Sequence, residues 1–246
     1  MHSDVKKPIP YGSIKTLFLD VGNTLVSMDF EWIQYKLQQH GMVFSVEKLQ
    51  RAEAVARTII SNELNRLKST ETEDTFRFYI ITTLRNLLPS SNTEETVIES
   101  LCSELLPVFK KRNQAQRLWS RVLPGIPEAL DRLQTAGLQL VAVSNADGTV
   151  EKSLSVLGLR RYFDAVIDSH VVGFEKPDSR VFYHAISVSG ADPKSTLHVG
   201  DIYAVDIVGA NAAGIYAVLL DPYEVWKHVD CCKIPDLPCL VDRILS

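Results

Sequence analysis

Ile14-Lys15-Thr16-Leu17-Phe18-Leu19-Asp20-Val21-Gly22-Asn23-Thr24-Leu25 is the stretch on which the reading of this chain turns. Its apolar run has the length of a buried strand, and Asp20 closes it just before a turn-forming Gly-Asn pair. Three further polar signatures follow: Ser144-Asn145 after the apolar run 138–143, Lys176-Pro177 in a loop, and Gly200-Asp201 with Asp206 after the run 196–199. In an open parallel sheet the carboxyl ends of the strands converge on one crevice, where ligands bind. Together these residues offer a nucleophilic carboxylate, a hydroxyl, a cation and further carboxylates. That set suits metal-assisted phosphoryl transfer.

Outward from these points the periodicity changes twice. Residues 14–26 read as a strand and its turn. From Phe30 to about Trp119 the chain holds one glycine, Gly41, and no strand-like alternation. Stretches 47–68, 72–88 and 93–112 carry apolar residues at spacings of three and four, the signature of amphipathic helices. Pro89 with Ser90-Ser91-Asn92 is a break, Thr93-Glu94-Glu95-Thr96 a helix start, and Pro107 is expected to kink or end the last helix. After Pro124-Gly125-Ile126-Pro127 strands alternate with helices: helix 126–135, strand 138–143, helix 148–157, strand 165–168, helix 178–189, strand 196–199, helix 203–213 and strand 215–220. Such alternation implies a parallel sheet with right-handed crossovers. The expected fold is therefore α/β, a Rossmann-like parallel core of residues 1–28 and 120–246, with an inserted α-helical cap of residues 29–119 over the crevice. Segments at Phe30 and 118–125 are the expected hinges of that cap.

Charge and composition narrow the partners. A net charge of -4 gives no affinity for polyanions, so nucleic acid is not expected. No apolar run nears the roughly 20 residues that span a bilayer, and the first residues lack a secretory apolar stretch, so a cytoplasmic protein with a loose arm over its first dozen residues is expected. Cys102, Cys231, Cys232 and Cys239 read as reduced structural thiols. A zinc site from His228, Cys231, Cys232 and Cys239 fails because adjacent thiols fit a tetrahedron poorly.

These motifs, in this order, resemble the haloacid dehalogenase-like (HAD-like) hydrolase superfamily, in the branch with a helical cap after the first core strand. Asp20-Val21-Gly22-Asn23-Thr24-Leu25 is similar to its first motif, Ser144-Asn145 to the second, Lys176-Pro177-Asp178 to the third, and Gly200-Asp201 through Asp206 to the fourth. The resemblance implies a Mg2+-dependent phosphatase acting on a small phosphorylated molecule. Asp20 would be the nucleophile that forms an aspartyl phosphate. Asp20, Asp201 and the Gly22 carbonyl would ligate the metal, with Asp206 beside them, acting through water or a neighbouring ligand. Ser144, the Asn145 amide and Lys176 would bind the phosphoryl oxygens. Thr24 would either join them or hold the turn.

One departure matters. Where the family's phosphatases usually carry a second Asp as general acid and base, this chain has Gly22. Such a group typically contributes about 10²–10⁴-fold. The substrates expected to suffer least are those with good leaving groups. His170 is a candidate replacement, weighed against a solvated loop histidine, and His198 reads as a buried, satisfied one. Asp29, Arg57, Arg66, Arg77 and Tyr79 are candidate cap residues facing substrate, and Lys110-Lys111-Arg112 reads as a solvated face. Dehalogenation also lacks the second Asp but needs no metal. Phosphonate cleavage would need a reactive lysine, for which Lys36, Lys48 and Lys68 are available. A fold retained for binding, with the chemistry abandoned, is the alternative outside enzymology.

Overall fold

The computed structural model describes residues 8–88, 92–115 and 117–246. The expected break at Pro89-Ser90-Ser91 lies outside the described residues, as does the expected arm over residues 1–7. The described part of that arm departs from expectation. Tyr11–Ser13 form a 3-10 turn, and the Tyr11 hydroxyl meets Cys232 Sγ at 3.2 Å, because the tyrosine ring packs on the core.

In chain order the elements are β1 (Thr16–Leu19), β2 (Val26–Met28), α1 (Phe30–Gln39), α2 (Val46–Leu67), α3 (Glu73–Arg85), α4 (Asn92–Gln114), β3 (Trp119–Val122), α5 (Ile126–Thr135), β4 (Gln139–Ser144), α6 (Val150–Val156), β5 (Ala165–Asp168), α7 (Ser169–Val172), α8 (Ser179–Ser189), β6 (Thr196–Gly200), α9 (Val208–Ala212), β7 (Tyr216–Leu220), β8 (Lys233–Ile234) and α10 (Leu237–Leu245). They form two compact units, one from the chain up to Val26 and from Val122 to Ser246, the other from Ser27 to Arg121.

The first unit is built on a parallel sheet of order β5-β4-β1-β6-β7-β8. The inner strands β1, β4 and β6 are buried on both faces and so are mostly apolar, with Thr16, Ser144, Thr196 and His198 as their buried polar residues. Leu17, Leu19, Leu140, Ala142, Leu197 and Val199 face one core, and Phe18, Val141 and Val143 face the other. Later strands add to both sides of β1, on β4 and on β6, which creates a switch point beside its carboxyl end. Asp20 follows β1, Ser144 ends β4 and Asp201 follows β6. One edge strand, β8, and the closing helix α10 were not anticipated. β8 is too short to show a period, and α10 starts at an Asp236 cap on the Cys239 amide with Pro238 in its first turn.

The second unit is helical. Asp29, Ser45 and Thr72 cap α1, α2 and α3 by accepting from the amides of Trp32, Lys48 and Thr75. Met28, Phe30, Ile33, Leu37, Leu49, Ile80, Leu84, Leu105 and Phe109 are among its core residues. Of the two expectations for Pro107, a kink or an end, the end does not occur, and helix α4 continues to Gln114. Leu105 before the proline and Phe109 after it are both buried in one core, and that burial outweighs the missing backbone donor. β2 and β3 pair as a two-stranded ribbon where no strand was expected, and each is only three or four residues long. Among the described residues no helix is long and apolar enough to cross a membrane.

Candidate active site

Lys176 sits between α7 and α8 with 2% of its surface exposed. Its Nζ donates to Asp20 Oδ1 at 2.6 Å and to Asp206 Oδ1 at 2.7 Å. Asn145 holds the lysine's backbone from both sides. Its Oδ1 accepts from the Lys176 amide at 2.7 Å and its Nδ2 donates to the Lys176 carbonyl at 2.8 Å. That clamp fixes the origin of the side chain before the ammonium reaches the carboxylates.

Asp206 lies in a π-helical turn, Tyr203–Ile207, that precedes α9 in the stretch expected to be plain helix. Such turns often mark functional positions. Its Oδ2 accepts from the amides of Asp201 and Ile202 at 3.1 and 3.0 Å, and its Oδ1 also receives His198 Nε2 at 2.9 Å. Asp201 Oδ2 accepts from Asn23 Nδ2 at 3.3 Å, and Asn23 sits at φ 50 in the turn after β1. Thr24 is fully buried, and its hydroxyl finds no partner in the described residues. Ser144 is buried, and among the described residues its hydroxyl makes only a long contact of 3.4 Å to the Asn145 carbonyl.

The loop that carries Ser144 and Asn145 is stapled by the end of β5. The Asp168 carboxylate accepts from the amides of Gly148, Val150 and His170 at 3.1, 3.2 and 3.0 Å. Ser169 Oγ accepts from the Ala146 amide at 3.0 Å. His170 is exposed, and its ring lies against Gly148, where a Cβ would stand 3.2 Å from His170 Cδ2. Sequence reasoning missed Asp168 and Ser169. Their position at the end of a predicted strand was the available signal.

The electrostatics follow from burial and from one ammonium shared by two carboxylates. Burial pushes the Asp20 carboxyl up to about 6, against the opposing pull of Lys176. Burial alone would also raise Asp206, but Lys176 and His198 reverse the effect and hold it well below the usual carboxylate range. Burial pulls Lys176 down, yet the two carboxylates win and keep it charged. The same desolvation pulls His198 below its ordinary value, despite its bond to Asp206. Of the two carboxylates, Asp20 is the one whose ionised form is held less well, because Asp206 receives Lys176, His198 and two amides.

Several residues expected to face substrate are engaged inside the helical unit. Arg57 Nε pairs with Glu53 at 3.1 Å and the Tyr79 hydroxyl donates to the same carboxylate, with Glu53 and Arg57 both buried. Asp29 is buried and accepts from Arg112 Nη2 at 2.6 Å and Arg121 Nε at 3.0 Å. Arg112 also lies over the Trp32 ring at 4.3 Å, so the basic run 110–112 is not simply a solvated face. Arg66 is exposed and pairs with Glu63. Arg77 is exposed.

The profile of haloacid dehalogenase-like hydrolases matches residues 14–214. The chain belongs to that family. Among curated HAD-like relatives it is 39% identical over 100 residues to the human haloacid dehalogenase-like hydrolase domain-containing protein 3, a match covering 41% of this chain and 40% of the relative. It is 35% identical over 102 residues to the glyceraldehyde 3-phosphate phosphatase of Methanothermobacter thermautotrophicus, covering 41% of this chain and 45% of that one. The matched stretches thus span less than half of either relative. Among solved structures, a magnesium-bound HAD hydrolase from Bacillus subtilis superposes with a TM-score of 0.61 at 18% identity, covering 95% of this chain and 99% of that one. At that identity the likeness speaks to the HAD fold.

Proposed function

We propose that this hydrolase is a magnesium-dependent phosphatase that acts on a small phosphorylated metabolite through an aspartyl phosphate on Asp20. What supports this is the buried Asp20–Lys176–Asp206 chain at the carboxyl end of the parallel sheet. The donors on hand for a metal are all oxygen, the Asp20 and Asp201 carboxylates with the Gly22 carbonyl. That suits a hard cation that keeps waters and substrate oxygens in its remaining positions. A cation there would offset the penalty that burial places on the ionised Asp20 carboxylate. Bound magnesium supplies positive charge to the phosphoryl oxygens.

The remaining chemistry falls to the chain's own residues. An Asp20 oxygen bonds to phosphorus as the bond to the leaving oxygen breaks, and the electron pair departs with the leaving group. Lys176 offsets charge on the nucleophile and the transferring group. The buried Thr24 hydroxyl and the Ser144 hydroxyl are donors in reserve for phosphoryl oxygens. Water then attacks phosphorus, the Asp20 carboxylate leaves, and the water's proton goes to the released phosphate. Asp206, with both oxygens engaged by Lys176, His198 and two amides, holds the ammonium in place. Gly22 offers no proton to the leaving group, so aryl, acyl and anhydride phosphates should turn over faster than sugar phosphates, by about 10²–10⁴-fold.

The test is phosphate release with and without magnesium across those four classes, beside Asp20→Asn. The expected outcome is magnesium-dependent turnover that the substitution abolishes, ranked by leaving group. Gly22 also favours a second reading, a phosphoryl-binding protein without turnover. Tight magnesium and phosphate binding with no hydrolysis of any class would select it.

A further inference from the structure

We propose that His198 is a positioning residue for this site, acting through Asp206 to hold the Lys176 ammonium against Asp20. The proposal rests on the phosphatase reading above. His198 lies in the middle of β6, opposite Phe18 on β1, with no exposed surface. It points to the core face shared by Phe18, Val141, Val143 and Phe182, where the strand pattern calls for an apolar side chain. An imidazole there is costly unless its polar edge is engaged. Nε2 meets Asp206 Oδ1 at 2.9 Å, and since Asp206 is ionised, the imidazole is the donor.

The same Oδ1 accepts from Lys176 at 2.7 Å, and the ammonium reaches Asp20 Oδ1 at 2.6 Å. His198, Asp206, Lys176 and Asp20 thus form one unbroken buried chain of hydrogen bonds. Two further features hold it in place. Phe182 packs its ring against the imidazole at 5.0 Å and 77°, which fixes the ring plane. Gly200 leaves the room that Asp206 fills, because a Cβ there would stand 2.1 Å from Asp206 Cγ. With two amides on Oδ2, the histidine completes a set of four donors that lock the carboxylate in its plane. Without it, Oδ1 keeps only the lysine, and the ammonium is free to draw Asp206 out of position and leave Asp20.

His198→Leu removes the donor at similar volume, and His198→Gln places an amide nitrogen near the position of Nε2. The expected result is a fall in kcat of about tenfold for the leucine variant, with KM within about twofold, and recovery of most of kcat in the glutamine variant. Circular dichroism and a thermal melt establish that both variants are folded. An unchanged kcat in His198→Leu, or a glutamine variant no better than the leucine variant, overturns the proposal. A second readout does not need turnover. The His198 Nε2–H proton resonance of the native protein should shift in Lys176→Met, because both donors share one oxygen. If the native protein hydrolyses nothing, the phosphatase reading fails by itself. The resonance then decides the positional claim: a shift supports it and an unmoved signal overturns it.

Discussion

Asp20 carries the sharpest consequence at the scale of a single residue. Its pKa is raised from 3.8 to about 6 by burial, with Lys176 lowering and Asp206 raising it. The folded state therefore binds the proton more tightly than the unfolded chain. Stability contributed at this position is present below pH 3.8 and is lost as pH rises through about 6. The ionised carboxylate then costs on the order of 2–3 kcal/mol in the metal-free protein. Asp20→Asn should accordingly raise the melting temperature of metal-free protein at pH 8 by several degrees, with the advantage gone near pH 4. Magnesium should narrow the gap at pH 8. Equal melting temperatures of the two proteins at both pH values would refute this. Asp20, Ser144 and Asp201 are visible in the sequence because each ends or follows an apolar run, and Lys176 because it stands before Pro177 in a loop between two such elements. The part of His198 is not visible there. It depends on which face of β6 meets Asp206, and that follows from sheet register and a π-helical turn that no local pattern encodes.

Among the elements, the staple between β5 and the loop after β4 is the most exposed to test. Asp168 gathers three amides that would otherwise be left without partners where the chain turns. Asp168→Ala should destabilise the protein by about 2–4 kcal/mol in urea unfolding. It should also weaken phosphate binding, since Ser144 and Asn145 lie on the loop that it holds. A variant as stable as the native protein would show that the loop holds itself. Most strands and helices of the parallel core, up to β7, could be read from alternation of type and from glycine stops. The helical insertion gave α2, α3 and α4 but neither α1 nor its side-chain roles. Arg57 and Tyr79 were candidate substrate contacts as polar or basic positions in the insertion that the sequence could not rank. They are instead tied to Glu53, a pairing that needs α2 and α3 side by side. Asp29 was legible as polar but not as the anchor of Arg112 and Arg121, residues over 80 positions away.

For the whole molecule, the way the chain enters and leaves the helical unit sets an expectation. β2 and β3 pair directly, and the Leu123 amide donates to the Leu25 carbonyl at 2.9 Å, so the two crossing points are neighbours. Replacing residues 27–121 with a flexible link of about four residues should therefore leave the parallel unit able to fold. A single cooperative melt of that shortened protein is the expected result. A broad, non-cooperative transition would mean that the sheet depends on the insertion. The order of synthesis adds a further constraint. β1 emerges first yet occupies the middle of the sheet, where Thr16 is matched to Gln139 on one side and to Thr196 on the other. At about 5–20 residues per second, on the order of ten seconds or more separate the ribosome's release of Thr16 from that of Thr196. Leu17-Phe18-Leu19 has no neighbour until β4 is released and only one until β6 follows, so through that interval an apolar strand of the nascent chain keeps an unpaired edge open to other chains.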